Sequence, residues 1–283
     1  MFSITPLLLL SLTAERAEAR SKVAATSCVL AGGLIGVPLA RVLPGVAAQY
    51  SDFRSIYWVS VSGQYAVLSL LYFTLPEDAA PTMLYEKGAA TTYAGTIRAT
   101  INHALTEPLL IQSSLVTIAS SATFGSSWVT ATFLLSDSPH SFSTHQTGLF
   151  GLIGLAGVAS SLLIGHSVDK ILPPMVTVMS AVLMTLSQTI QLSFGGDSIL
   201  AIIIAFLCLE VAWHVQQISL SATVSGISAE SRTRLNTILM ISICLGQAMG
   251  TSIGPKIFLA YGYRFAAVVH LARAAWQLLA FIL

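Results

Sequence analysis

Apolar residues run for about twenty positions at a time in eight places along this chain, at 23–48, 55–75, 109–135, 148–167, 175–194, 198–218, 235–259 and 265–283. Each run is long enough for an α-helix to cross the roughly 30 Å hydrocarbon core of a bilayer. Short polar connectors separate them, such as 49–54, 136–147, 195–197 and 261–264, and one long connector, 76–108, divides the set into two and six. Within it, 93–105 can form a helix lying outside the bilayer. Strands of a membrane barrel are about ten residues long and alternate strictly; these runs are twice that and do not alternate. The pattern predicts an all-α, polytopic transmembrane helix bundle.

Composition agrees. Apolar types fill 54% of the 283 positions and charged residues only 9%, with a mean hydropathy of +0.79. A soluble domain carries about 25% charged residues, because its surface must meet water. The net charge of +1 and the absence of a basic run leave nothing to track phosphates, so nucleic acid is not a partner. Cys28, Cys208 and Cys244 lie in apolar stretches with no paired spacing, which argues against disulfides and a zinc site. The first dozen residues lack the basic start and cleavage site of a signal peptide.

Charge then orients the helices. If the spans alternate, the connectors 14–22, 76–108, 168–174 and 219–234 share one side and hold Arg16, Arg20, Lys22, Lys87, Arg98, Lys170, Arg232 and Arg234. The opposite connectors hold only Arg54 and Arg264. This positive-inside bias places 14–22 and the C-terminus in the cytoplasm. The plasma membrane is the expected location.

A long-period repeat is also present. Glu18-x-Arg20-x-Lys22 precedes Gly32-x-x-x-Gly36, and Glu230-x-Arg232-x-Arg234 precedes Gly246-x-x-x-Gly250. Phe53-Arg54 and Tyr263-Arg264 then open the next helices. Six spans fit in one offset, so the parent architecture is two six-helix halves. Counting back from 23–48 as helix five, residues 1–13 are the tail of helix four, and helices one to three with most of four are expected to be absent. The predicted organisation is a remnant of the N-terminal half (1–75), a cytoplasmic linker (76–108) and a complete C-terminal half (109–283).

At this point the residues resemble the major facilitator superfamily, in its drug-exporter-like branch. Residues 5–22 look like the end of family helix four and its basic loop. Gly33-Leu34-Ile35-Gly36 with Arg41 and Gly45 resembles helix five, although here Gly36-Val37-Pro38 separates the Gly and Pro that exporters place together. Residues 53–58 resemble the start of helix six. Gly165-x-x-x-Asp169-Lys170 sits where the second copy of the family's loop motif belongs, and 231–237 is similar to the loop entering helix eleven. The resemblance implies that Asp169 stabilises one conformation through a neighbouring helix end, with Gly165 permitting close backbone approach.

Ionisable groups at membrane depth are costly and face a cavity or a partner. Glu210 and His214 are spaced i, i+4 on one helical face. They could relay a proton or hold a polar substrate, with Gln216 and Gln217 continuing the patch; a neutral pair that only fixes packing is the alternative. No third ligand suggests a metal there. Arg41, deep in its span, faces a cavity or snorkels. Lys256, His270 and Arg273 are expected as interfacial anchors near helix ends, and Gly32, Gly36, Gly246, Gly250 and Gly254 as packing surfaces. No nucleophile elbow, HExxH, P-loop or dinucleotide motif occurs, so neither an enzyme nor a cofactor is indicated. The expected function is secondary transport of a small organic solute across a lipid bilayer by alternating access, including proton-coupled efflux. The competing expectation is a truncated, non-transporting membrane fragment or scaffold.

Overall fold

The computed structural model describes residues 32, 36, 39–48, 50, 52–74, 106–137, 139–160, 173–227 and 232–282. Among them every regular element is helical and no strand occurs. By contacts the chain separates into two units, Met1–Ala90 with Ser143–Leu152, and Thr91–Phe142 with Ile153–Leu283. The segment 143–152, placed by sequence in the C-terminal half, thus groups with the first unit.

The first unit contains α1 (Leu39–Ala48), α2 (Phe53–Thr74) and α4 (Thr144–Phe150). Tyr57, Trp58, Tyr65, Tyr72 and Phe73 stand exposed along α2, a face suited to lipid. Ser143 starts α4 with a capping box: its hydroxyl accepts from the Gln146 amide, and the Gln146 side chain accepts from the Ser143 amide at 2.9 Å. The α1 and α4 backbones meet at Gly45 and Gly148, where a Cβ on Gly148 would fall 2.6 Å from the Gly45 Cα.

The second unit contains α3 (Pro108–Ser136), α5 (154–160), α6 (Pro173–Phe194), α7 (Ile199–Ser225) and the run Arg232–Ile282. That run is continuous except at Gly262, whose φ of 81° and ψ of 176° are not helical; it is treated as α8 (232–261) and α9 (263–282). Only a residue without Cβ occupies that region readily, so the chain turns inside the predicted 261–264 connector. Five helices among the described residues, counting the broken run once, are long and apolar enough to cross a membrane.

Helix ends report the threading. Leu110 of α3, Leu220 and Val224 of α7, Leu235 of α8 and Ala280 of α9 form one apolar cluster. So α3 and α8 depart from the end at which α7 and α9 arrive. At the other end, the Tyr263 hydroxyl that opens α9 donates to the Gln191 carbonyl near the end of α6, and His140 lies 3.4 Å from the Gly195 carbonyl.

Two corrections to element bounds have local causes. The span predicted at 198–218 continues to Ser225. Its polar-looking last turns are satisfied internally: Thr223 donates to the Ser219 carbonyl at 2.9 Å, and Ser221 to Asn236 Oδ1 at 2.8 Å, while Leu220 and Val224 are buried. The predicted span 148–167 begins instead as the short α4, a 3-10 turn Gly151–Ile153 and α5; residues 161–172 lie outside the described set.

The tightest seam joins α3 to α8. Cβ atoms built on Gly246 and Gly250 would come within 3.0 Å of the Ile118 Cα and 2.9 Å of the Ala122 Cα; one on Gly254 would come within 3.0 Å of the Ser126 Cβ. An i, i+4 row of glycines therefore meshes against the α3 backbone at Ile118, Ala122 and Ser126, the close-packing mode that replaces hydrophobic driving force inside lipid. Hydroxyls along α3 bond back to their own helix, Thr117 to the Ser113 carbonyl at 2.7 Å and Thr123 to the Ala119 carbonyl at 2.9 Å, so a span rich in Ser and Thr leaves these donors satisfied.

Candidate functional site

The most apolar of the candidate spans, α7, carries a carboxylate near its middle. Glu210 is 0% exposed. Its Oε1 accepts from the Trp128 indole N–H at 2.8 Å, across from α3. One turn on, His214 Nδ1 lies 2.9 Å from the Glu210 carbonyl and 3.4 Å from Glu210 Oε2, with the imidazole side chain 13% exposed. Both neighbours of Nδ1 are acceptors, so in the neutral ring this nitrogen carries the proton. Gln217 completes an i, i+4, i+7 stripe, and its Nε2 is a buried donor with no hydrogen-bond partner among the described residues.

Aromatic rings wall the stripe. Trp213 stacks on Phe124 with centroids 4.3 Å apart, and Trp128 meets Phe206 edge-on at 4.9 Å. The backbone of α5 closes another side: a Cβ on Gly157 would fall 2.7 Å from His214 Cε1 and 2.8 Å from Glu210 Oε2. Hence a glycine is what lets α5 lie directly over the acid–imidazole pair.

Gln216 does not continue this patch. It is fully buried on another face of α7 and donates to Gln277 Oε1 of α9 at 3.1 Å. Neighbouring positions on a helix diverge by about 100°, which is why the two glutamines part. His270, expected as an interfacial anchor, is 3% exposed; it lies seven residues into α9, and its Nε2 is 2.7 Å from the Ser126 hydroxyl. Ser127 beside it donates to Gln188 of α6 at 3.3 Å. Arg273 is likewise no anchor at a helix end but lies midway along α9, whereas Lys256 is exposed.

Among the other residues singled out by sequence, Arg41 is half-buried on α1 in the first unit, its Cβ beside Gly151. It belongs to a different unit from Glu210, His214 and Gln217. Gly246 and Gly250 pack on α3 as described, while Gly32 and Gly36 have nothing among the described residues within 4 Å of where a Cβ would sit. Arg232 and Arg234 open α8. Arg20, Gly165, Asp169 and Lys170 lie outside the described residues.

Trp128, Gly157, Ser126 and Gln188 were missed. Trp128 had a signal, an indole donor at membrane depth that needs an acceptor. The Ser126–Ser127 pair looked like filler in a Ser/Thr-rich run, and nothing local marks Gly157.

Comparison with known proteins places this arrangement. The profile of the Major Facilitator Superfamily matches residues 1–251. The uncharacterized transporter YgaY of Escherichia coli O157:H7 is 29% identical over 256 residues, covering 89% of this chain and 62% of that protein. A probable transporter of Streptomyces coelicolor, SCO4007, is 27% identical over 283 residues, covering 98% of this chain and 62% of its own length. The chain thus spans less than two thirds of these relatives, whose names describe transporters and not enzymes. With the profile matching well over half its length, and its helices long enough to make it an integral, multi-pass membrane protein, the chain belongs to the major facilitator superfamily.

Proposed function

We propose that this chain serves secondary transport of a small organic solute by alternating access, in the direction of efflux across the plasma membrane, with proton coupling through Glu210 and His214 and the C-terminus in the cytoplasm. The observation that carries the reading is a fully buried carboxylate at membrane depth, hydrogen-bonded to Trp128 and adjoining His214. Intramembrane acids of this kind mark substrate and proton pathways. A proton taken up at His214 Nε2 gives imidazolium, whose Nδ1 proton can pass to Glu210 Oε2 and return the ring to neutral. Gln217 Nε2, a buried donor on the same stripe, suits a solute carbonyl or carboxylate.

The remaining assignments rest on sequence. Arg41 offers a fixed cation to an anionic solute group. Gly165, Asp169 and Lys170, with Arg20, Arg232 and Arg234, hold the cytoplasmic ends during the conformational cycle. The organisation as part of an N-terminal half (1–75), a linker (76–108) and a six-helix half (109–283) belongs to the same reading, as does alternating access around a midplane site.

The test is flux in proteoliposomes under an imposed proton gradient, with the residues carried in a chain of the relatives' full length. Glu210→Gln should insert and fold yet lose gradient-driven flux; undiminished flux would remove the carboxylate from the pathway. Absence of flux from the unmodified protein, in either orientation, would favour the alternative of a non-transporting membrane scaffold.

A further inference from the structure

We propose that Trp128 is a positioning residue for the proton relay, and that it directs the proton onto Glu210 Oε2, the oxygen facing His214. The inference rests on the proton-coupled reading above. The two oxygens of a carboxyl group exchange places by rotation about its last bond, a torsion that is broad and roughly two-fold. Glu210 by itself therefore does not decide which oxygen meets the imidazole, and the decision falls to its neighbours. From α3 the Trp128 indole N–H donates to Oε1 at 2.8 Å, while Oε2 lies 3.4 Å from His214 Nδ1.

The chemistry of the indole makes the choice one-way. Its nitrogen donates and does not accept. A proton on Oε1 would set O–H against N–H, two buried donors with no acceptor between them. Oε1 must therefore remain an acceptor, and the proton goes to Oε2. In the transfer the Nδ1–H bond of the imidazolium breaks and an Oε2–H bond forms. The ring returns to neutral with its remaining proton on Nε2, and the neutral carboxyl keeps Oε1 as its C=O, still accepting from Trp128. Both neighbours are held in place. His214 Nδ1 lies 2.9 Å from the Glu210 backbone carbonyl, which ties the ring to its own helix. Phe206, fully buried one turn before Glu210, braces the indole edge-on with centroids 4.9 Å apart. From α5, Gly157 brings backbone and no side chain to this oxygen, and a Cβ there would fall 2.8 Å from Oε2. The 3.4 Å gap to Nδ1 is a few tenths of an ångström longer than an ordinary N–H···O bond, which a small swing of the carboxyl about the anchored Oε1 closes.

The experiment is infrared difference spectroscopy of the full 283-residue chain in nanodiscs of neutral lipid as the pH is lowered. A protonated carboxyl announces itself by its C=O stretch, and the band that disappears in Glu210→Gln belongs to Glu210. Trp128→Phe keeps a ring against Phe206 but removes the donor, so the band should move to higher wavenumber, because a C=O that loses a hydrogen bond stiffens. Phe206→Leu leaves the N–H in place and removes its brace, so the band should broaden; this variant keeps the test decisive if Trp128→Phe fails to fold. A Glu210 band unmoved or lowered in folded Trp128→Phe overturns the proposal, as does an unchanged band width in Phe206→Leu. Either result leaves Glu210 as the proton site and removes Trp128 alone. Absence of any band that Glu210→Gln abolishes would instead remove the proton from Glu210, and with it both the relay and the role given to Trp128.

Discussion

Replacing Gly250 by alanine adds one methyl group where the α3 and α8 backbones already touch. The new Cβ would lie 2.9 Å from both the Cα and the carbonyl carbon of Ala122. Carbon atoms rest at about 3.5–4.0 Å, so α8 must retreat by roughly 0.6–1 Å, and the obstacle is backbone that cannot rotate aside. A gap of that size forfeits about a quarter to a half of the dispersion attraction between the facing atoms. Lipid supplies no hydrophobic force to offset the loss, because acyl chains are as apolar as the side chains they replace. Overpacking of this kind costs about 1–3 kcal/mol, against a gain of up to about 1 kcal/mol from exchanging glycine for alanine in a helix. With backbone as the obstacle the upper half of that cost applies, about 2–3 kcal/mol, so the net expectation is a loss of about 1–2 kcal/mol. Gly63 of α2 is the control: nothing among the described residues lies within 4 Å of its Cβ position, so Gly63→Ala should gain about 0.5–1 kcal/mol. Equilibrium unfolding in mixed detergent–SDS micelles, followed by helical circular dichroism, reads both. If Gly250→Ala proved as stable as the unmodified chain, or Gly63→Ala lost as much as Gly250→Ala, the meshed seam would not be what holds these helices together.

Further outcomes follow from other contacts. Gly254→Ala would press on the Ser126 side chain and disturb its bond to His270; Ser126→Ala should partly rescue it, a coupling of about 0.5–1.5 kcal/mol in a double-mutant cycle, and strict additivity would deny the contact. Gly262→Ala places a side chain at φ 81°, ψ 176° and should cost about 1–3 kcal/mol in the same unfolding assay. Gly157→Ala would press on the held side chains of His214 and Glu210, so it should change gradient-driven flux as well as lower the unfolding midpoint; a lower midpoint with unchanged flux would make Gly157 a packing residue alone. Trp128→Phe removes the donor to Glu210 Oε1 and should cost about 0.5–3 kcal/mol in the unfolding assay; an unchanged midpoint would deny the bond.

Most of the helices were legible because hydropathy and length measure what a bilayer demands of a span. The boundary at 261–264 was legible too, although the helix only breaks there at a single glycine. Where the pattern failed, polar residues had found partners. Ser219, Ser221, Thr223 and Ser225 read as a connector, yet Ser219 donates to the Pro173 carbonyl of α6, Thr223 bonds its own helix, and Ser221 and Ser225 pair with Asn236; composition alone does not reveal such pairing. The candidate site was half legible. Glu210, His214 and Gln217 share a face by spacing alone, whereas Trp128 and Gly157 arrive from other helices and are set by packing between them. His270 was misplaced because nearness to the C-terminus suggested a membrane surface, while its helix begins at 263 and carries it seven residues inward.

The same physics explains why α3, among the less apolar of the candidate spans, is the one with the largest buried share. It offers a different surface to each neighbour. Ile118, Ala122 and Ser126 mesh with the glycines of α8, Phe124 and Trp128 meet Trp213 and Phe206 of α7, Ser127 reaches Gln188 of α6, and Ser126 reaches His270 of α9. A small hydroxyl can bond back to its own helix, as Thr117 and Thr123 do, and takes little room. Small polar residues are therefore what a central helix requires, and large apolar ones would hold its neighbours apart. It follows that α3 cannot shift alone. Moving it off α8 would open the seam at Gly246 and Gly250, and would also draw Trp128 from Glu210 and Ser126 from His270. Any rearrangement that alters the surroundings of the buried carboxylate must carry α7, α8 and α9 with α3 or break those contacts together.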